Sequence, residues 1–200
     1  MVAKDVNHFK KKGRLIIISS PSGGGNTSIV RKWLTLRPDL KRSVSYTTRP
    51  KRSGEHDGKD YHFISRSDFL TKRKHGFFLE WARVFGHFYG SSKTFCLDWT
   101  AKGYNVVLTI DVQGTRKVLK RFQQRLPIIT VFVTPPSTRT LEERLVKRKT
   151  DSKIEIAKRL RIAKEEMKAR REYDYVVMNR SLTDAVQRID RVLYKKALAS

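Results

Sequence analysis

The chain has 200 residues, 38% of them hydrophobic, enough for one domain with a real core and small inserted lobes, and no second independent domain is expected. Its 44 lysines and arginines against 19 acidic residues give a formal charge of +25, a field that draws nucleotides, nucleic acids and anionic surfaces without choosing among them, or simply a solvated surface. A single cysteine, Cys96, excludes an internal disulfide framework, and no apolar run is long enough to cross a bilayer or serve as a secretory signal, so a cytoplasmic protein is expected.

Met1 to Arg14 is a polar, basic lead-in. Leu15-Ile16-Ile17-Ile18-Ser19 reads as a buried strand, Ser20-Pro21-Ser22-Gly23-Gly24-Gly25-Asn26 as a glycine-rich turn, and Thr27 opens a helix reaching about Leu36. That order matches a phosphate-binding loop, whose glycines let backbone N–H groups and a helix N-terminus converge on one anion. Against G-x-x-x-x-G-K-[ST], Ser20 replaces the first glycine and Asn26 the lysine, while Thr27 keeps a hydroxyl suited to Mg²⁺. On these residues alone, a degenerate phosphate loop and an ordinary glycine-rich turn both stand.

Arg37-Pro38-Asp39 breaks the pattern, and Ser43 to Tyr46 alternates as a short strand. Thr47 to Tyr61 is predicted to be an exposed loop crowded with hydrogen-bonding groups. Ser67 can cap a helix stopping near Gly76, Phe77 to Phe88 suggests strands, and Ser91 or Ser92 can start a helix that Gly103 ends. Asn105 to Ile110 is again a buried-type strand, Val112 to Gln124 a helix, and Ile128 to Val133 a strand. After Pro135-Pro136-Ser137 a helix runs to about Arg148. Lys149 to Ser152 reads as a turn, with Ser152 capping a long charged helix over about Lys153–Arg171. Tyr175 to Met178 is a last strand and Leu182 to Leu198 a last helix. The alternation of strands and helices points to an α/β fold, a parallel sheet with helices on both faces.

The stretch between the first helix and Gly90 carries groups that suit a nucleoside monophosphate. Arg49 and Arg52 can grip a phosphate bidentately, and the phenols of Tyr61 and Tyr89 can add neutral hydrogen bonds. Guanine offers two donors on its Watson–Crick edge, which a carboxylate such as Glu80 satisfies together. Ser45 and Ser91 can address the remaining edge, and Asp111 lies at a strand end, where ligands meet an open α/β sheet.

Singly these residues say little, since an arginine is usually surface charge and a tyrosine usually packing. Their order carries the weight. Ser43 to Glu55, Gly58 to Phe63, Phe78 to Ala82, Gly86 to Ser91 with Phe88 in place of a tyrosine, and Asp111 to Gly114 together resemble the guanylate kinase family, over about Leu15 to Ala185. The resemblance implies ATP-dependent phosphorylation of GMP on a single domain. That domain has a core over about 13–36, 92–135 and 172–200, a small mixed β GMP-binding lobe over about 37–91, and a helical lid over about 136–171. By position it implies guanine contacts from Ser45, Glu80, Ser91 and Asp111, and GMP phosphate contacts from Arg49, Arg52, Tyr61 and Tyr89, with Glu55 bracing their loop. It further implies ATP phosphates on Ser20 to Thr27, Mg²⁺ on Thr27, and lid arginines Arg144, Arg148 and Arg159 covering the transferred charge.

The sequence departs from that pattern on the ATP side. Besides Asn26, Thr109-Ile110-Asp111 stands where the family usually reads Asp-x-Asp, and Arg180-Ser181 replaces an acidic pair. The expectation is a guanylate kinase, working or weakened by Asn26 and Thr109. The alternative is a catalytically dead binding module using the GMP site for GMP or a phosphorylated ligand. No recognition motif supports a specific nucleic-acid partner, and the sequence does not fix the oligomeric state.

Overall fold

The computed structural model describes residues 13–21, 23–147 and 153–194. Expectations placed on Ser22, Arg148, Ser152 and most of the basic lead-in fall outside the described residues.

The first strand, β1 (Leu15–Ser19), is buried throughout and lies at the centre of a five-stranded parallel sheet. On one side it pairs with β7 (Asn105–Thr109), which pairs in turn with β2 (Leu40–Arg42). On the other side it pairs with β8 (Ile128–Thr134), which pairs with β9 (Tyr175–Met178). Alternate β1 side chains enter opposite cores, which is why the strand carries no polar face until Ser19. Ile16 and Ile18 pack with Ile29, Val30 and Trp33 of α1 (Asn26–Leu36) and with Val186 and Ile189 of α7 (Leu182–Tyr194). Leu15 and Ile17 pack with Cys96 of α3 (Lys93–Ala101) and with Val118 and Phe122 of α4 (Val112–Phe122). Each such side chain, taken fully from water, contributes roughly 1.5–3 kcal/mol. Burial pushes the Cys96 thiol up to about 12, so it is an inert core residue. A polar clasp joins α1 to α7: the Trp33 indole donates to Asp190 at 3.0 Å, and Arg37 grips the same carboxylate bidentately at 2.7 and 2.8 Å.

A second, mixed sheet forms the lobe, in the order β4 (His62–Phe63), β3 (Tyr46–Thr47), β6 (His87–Ser92), β5 (Phe78–Val84). Its own core is aromatic. Phe69 of α2 (Arg66–Lys74) stacks on Phe78 and Phe88, with centroids at 4.4 and 5.2 Å. Two helices, α5 (Thr138–Lys147) and α6 (Lys153–Lys168), pack together through Leu141, Leu145 and Ala163.

Four expectations need correction. Ser43 to Tyr46 is not one strand: Leu40–Arg42 pairs in the core sheet, Tyr46–Thr47 in the lobe, and the residues between cross from one sheet to the other. The crossing is pinned at both ends, Ser43 N–H donating to Val107 O and Ser45 O accepting from His62 N–H. The stretch from Thr47 to Tyr61 is not uniformly exposed, for Thr47 and Asp60 are buried. Asp60 accepts from His56 N–H and pairs with Arg31 of α1, while Arg42 donates to the carbonyls of Lys59 and Asp60. The cap of α2 is Ser65 rather than Ser67, because Ser65 Oγ accepts Asp68 N–H at 3.0 Å. The long charged helix stops being α-helical at Lys168 and tightens into a 3₁₀ turn over Ala169–Glu172.

Candidate functional site

A cleft of about 590 Å³ opens between the C-terminal ends of β1 and β7, the lobe and α6. Its floor is the loop from Ser20 to Thr27. Gly23 and Gly25 sit at φ +91° and +100°, a region side chains avoid, and a Cβ on Gly24 would come within 2.5 Å of Ser20 Oγ. The loop is held by a residue that no local pattern singles out. Asn179, buried just after β9, donates from Nδ2 to Gly24 O at 2.8 Å, and its own N–H bonds Thr134 O. Arg144 joins it there, donating to Gly24 O at 3.4 Å and Asn179 O at 3.2 Å. Arg144 therefore lines a second cavity, shared with Gly23, Gly25, Ser28 and Asn179, and does not line the cleft. Asn179→Ala leaves the Gly24 carbonyl short of its best donor, and a loss of about 1–3 kcal/mol is expected in urea denaturation. An unchanged midpoint would remove Asn179 as the loop's anchor.

Asn26 is the first residue of α1. Its Nδ2 is 3.5 Å from Ile18 O, a distance at which little hydrogen bonding remains, and its Oδ1 is buried without a hydrogen-bond partner. Thr27 is exposed at the same helix start and lines the cleft. Thr109 and Asp111 line it from the end of β7.

The lobe supplies the opposite wall. Arg49 pairs with Glu55 at 2.7 Å, and Glu55 also accepts Arg52 N–H at 2.8 Å, so one carboxylate orders both arginines. Burial opposes the Arg49 charge, but its hydrogen bond to Glu55 and the charge interactions with Glu55 and Tyr89 together outweigh it and hold the guanidinium above its usual value. Tyr61 and Tyr89 line the cleft edge to face, centroids 5.9 Å apart. Deeper in, Glu80 is buried at 4% exposure and accepts from Ser91 Oγ at 2.8 Å. Burial, reinforced by nearby Asp111, pushes the Glu80 carboxyl up to about 7. Asp111 caps α4 by accepting Gly114 N–H at 2.7 Å, and burial raises it too. Gly114 is required there, since a Cβ would stand 2.9 Å from Glu80 Oε2. Ser45 lines the same end, whereas Ser91 lies behind Glu80 rather than on the wall.

The third wall is α6. Arg159 lines the cleft, its guanidinium 4.6 Å from the centroid of the Phe85 ring at the tip of the β5–β6 hairpin. Phe85 holds the tight turn at φ +49°, and nothing in its sequence pattern announced a contact across the cleft. Among the described residues the cations lining the cleft are Arg49, Arg52 and Arg159, and no lysine does so. No described helix is long and apolar enough to cross a membrane.

The family model for guanylate kinase matches residues 12–196. The guanylate kinase of Thermotoga maritima is 44% identical over 89% of this chain and 84% of its own length, and that of Coxiella burnetii is 41% identical over 94% and 89%. The crystal structure of guanylate kinase from Anaplasma phagocytophilum superposes with a TM-score of 0.77 at 33% identity, covering 94% of this chain and 87% of that one. A family match from the lead-in to the last helix, on the same two-sheet architecture, means that the chain belongs to the guanylate kinase family.

Proposed function

We propose that the chain transfers the terminal phosphoryl group of ATP to GMP, with the core, lobe and lid divided at about 37–91 and 136–171 and Leu40–Arg42 lent to the core sheet. The observation that carries the reading is a buried Glu80 carboxylate facing one cleft with the paired Arg49 and Arg52 and with the glycine loop. Glu80 receives the two guanine donors, with Ser45, Ser91 and Asp111 shaping the same end. Arg49, Arg52, Tyr61 and Tyr89 hold the GMP phosphate, and Glu55 keeps the arginines in place. Ser20 to Thr27 cradles the ATP phosphates, and Arg159, with Arg148 beyond the described residues, covers the charge that moves between them. Arg144 acts by fixing the loop. The exposed Thr27 hydroxyl suits Mg²⁺ brought with ATP, and no described cluster of three acidic, histidine or cysteine residues competes for it. Thr27 would hold that ion, which when bound would supply neutralisation of phosphate charge.

Within this reading the phosphate loop is degenerate. Asn26 can donate a hydrogen bond but not a point charge, and Thr109 supplies no carboxylate near the metal. The same two residues favour a second reading, a binding module that keeps the GMP site and has lost transfer.

The test of the GMP site is calorimetric titration of GMP and AMP across pH. Guanine needs the Glu80 carboxylate ionised, and in the empty cleft that group titrates near 7. The GMP-to-AMP affinity ratio should therefore be flat above pH 8 and fall about tenfold per pH unit below 7, since one unit changes the ionised fraction tenfold. Taking the ratio cancels titration of the nucleotide phosphate. Equal affinities at pH 8 would sink the assignment of Glu80.

A further inference from the structure

On the outer side of the lobe, away from the cleft, cations gather around two rings. Trp81 of β5 and Phe88 of β6 have centroids 6.1 Å apart. Arg66 and Arg83 lie 5.8 and 6.0 Å from Phe88, and Arg73 and Lys117 lie 4.9 and 4.8 Å from Trp81. Lys117 is fixed further by donating to Trp81 O at 2.6 Å. One turn along α4 follow Lys120 and Arg121. All six cations are exposed, and among the described residues none of them makes an ion pair.

Elsewhere the protein neutralises such side chains: Arg31, Arg37, Arg49, Arg116 and Arg188 each face a carboxylate. On this face the acids are few or engaged. α4 has none, Glu80 points into the cleft, and Asp68 of α2 accepts from Ser65 Oγ. The cations are positioned by aromatic rings instead of by counter-charges, which keeps their hydrogen-bonding edges available.

We propose that this face docks the phosphate backbone of nucleic acid without regard to sequence. Three features select that occupant. The cations come from two helices and a strand, a spread suited to a chain of phosphates rather than to one. Guanidinium groups accept phosphate oxygens in a bidentate fork. Phe88 is buried against Phe69 and Trp81 has Arg73 and Lys117 over its ring, so no free aromatic face reads or stacks bases. Insertion into a bilayer is disfavoured because the exposed large apolar side chains, such as Ile154, Val176 and Met178, all lie outside α2, β5, β6 and α4.

The experiment is fluorescence anisotropy of the full chain with a labelled 20-base-pair DNA duplex and a scrambled one, from 50 to 200 mM salt. Four to six phosphate contacts give a slope of log K against log salt of about −4 to −5, the same for both duplexes. Arg73→Glu/Lys120→Glu/Arg121→Glu should weaken binding more than tenfold at 50 mM salt and flatten the slope by about 3. The matching alanine triple should do the same to a lesser degree if the charge reversals impair folding. The control Arg170→Glu/Arg171→Glu/Arg191→Glu, with the same net charge on other exposed positions, should cost under threefold. Equal losses in face and control variants would overturn the proposal, as would a strong preference for one duplex or no binding at 50 mM salt. So would a face variant that keeps the duplex but is released from phosphatidylserine vesicles.

Discussion

Asn26→Lys is expected to raise turnover with ATP, Mg²⁺ and GMP by roughly 10²–10³, the scale on which one preorganised charge or donor acts in a closed site. The side chain starts from the first residue of α1, beside Gly25, where a lysine can follow the loop toward the β and γ phosphates. The native amide instead stays near Ile18 O with its oxygen unpartnered, and no described lysine lines the cleft in its place. The gain belongs in kcat rather than in the affinity for GMP, because the new charge acts as negative charge shifts in the transition state while the contacts proposed for GMP lie on the opposite wall. Adding Thr109→Asp should go further than the sum of the single changes if both positions border one metal–phosphate centre. A gain seen only as a lower KM for GMP would contradict this placement.

Glu80→Gln carries the second large effect, a loss of about 5- to 150-fold in the preference for GMP over AMP. Replacing one carboxylate oxygen by an NH₂ sets a donor against a guanine donor in a buried pocket, a mismatch of about 1–3 kcal/mol. The amide's remaining oxygen and its new N–H fit adenine, whose edge pairs a donor with an acceptor, so AMP gains as GMP loses. Ser91 Oγ can still donate to the remaining oxygen, so the fold around β5 and β6 should persist. The pH dependence of the GMP-to-AMP ratio should vanish with the carboxyl. A variant that lost affinity for both nucleotides equally would show that Glu80 supports the lobe instead of reading the base.

Much of this was legible in the sequence, and particular residues show why. The run Leu15–Ser19 has no alternation because both faces of a central parallel strand are buried, so its apolar continuity alone identified it. That Arg49, Arg52, Glu55 and Tyr61 share one cleft was legible because they fall in one polar stretch, where packing explains little. What escaped the sequence depends on distance along the chain. Asn179 meets Gly24 across 155 positions, and Arg159 reaches Phe85 from another element. Neither pairing has a local pattern. Arg144 is placed among the lid arginines by the resemblance, which carries a role over by position and not by the partners the side chain meets. Leu40–Arg42 was missed because three residues are too few for a period to show.

The most direct test is an enzyme-linked assay of GDP formation by the unmodified chain with ATP, Mg²⁺ and GMP, run beside AMP and beside the Asn26→Lys variant. The expected result is GMP-dependent GDP formation, with little or no phosphorylation of AMP to ADP, at a rate below the ordinary kinase range of about 1–100 s⁻¹ and brought toward it by lysine. Full kinase rates without the lysine would contradict the role given to Asn26. No GDP from either protein, with GMP still bound, would contradict phosphoryl transfer itself and leave the cleft as a binding site.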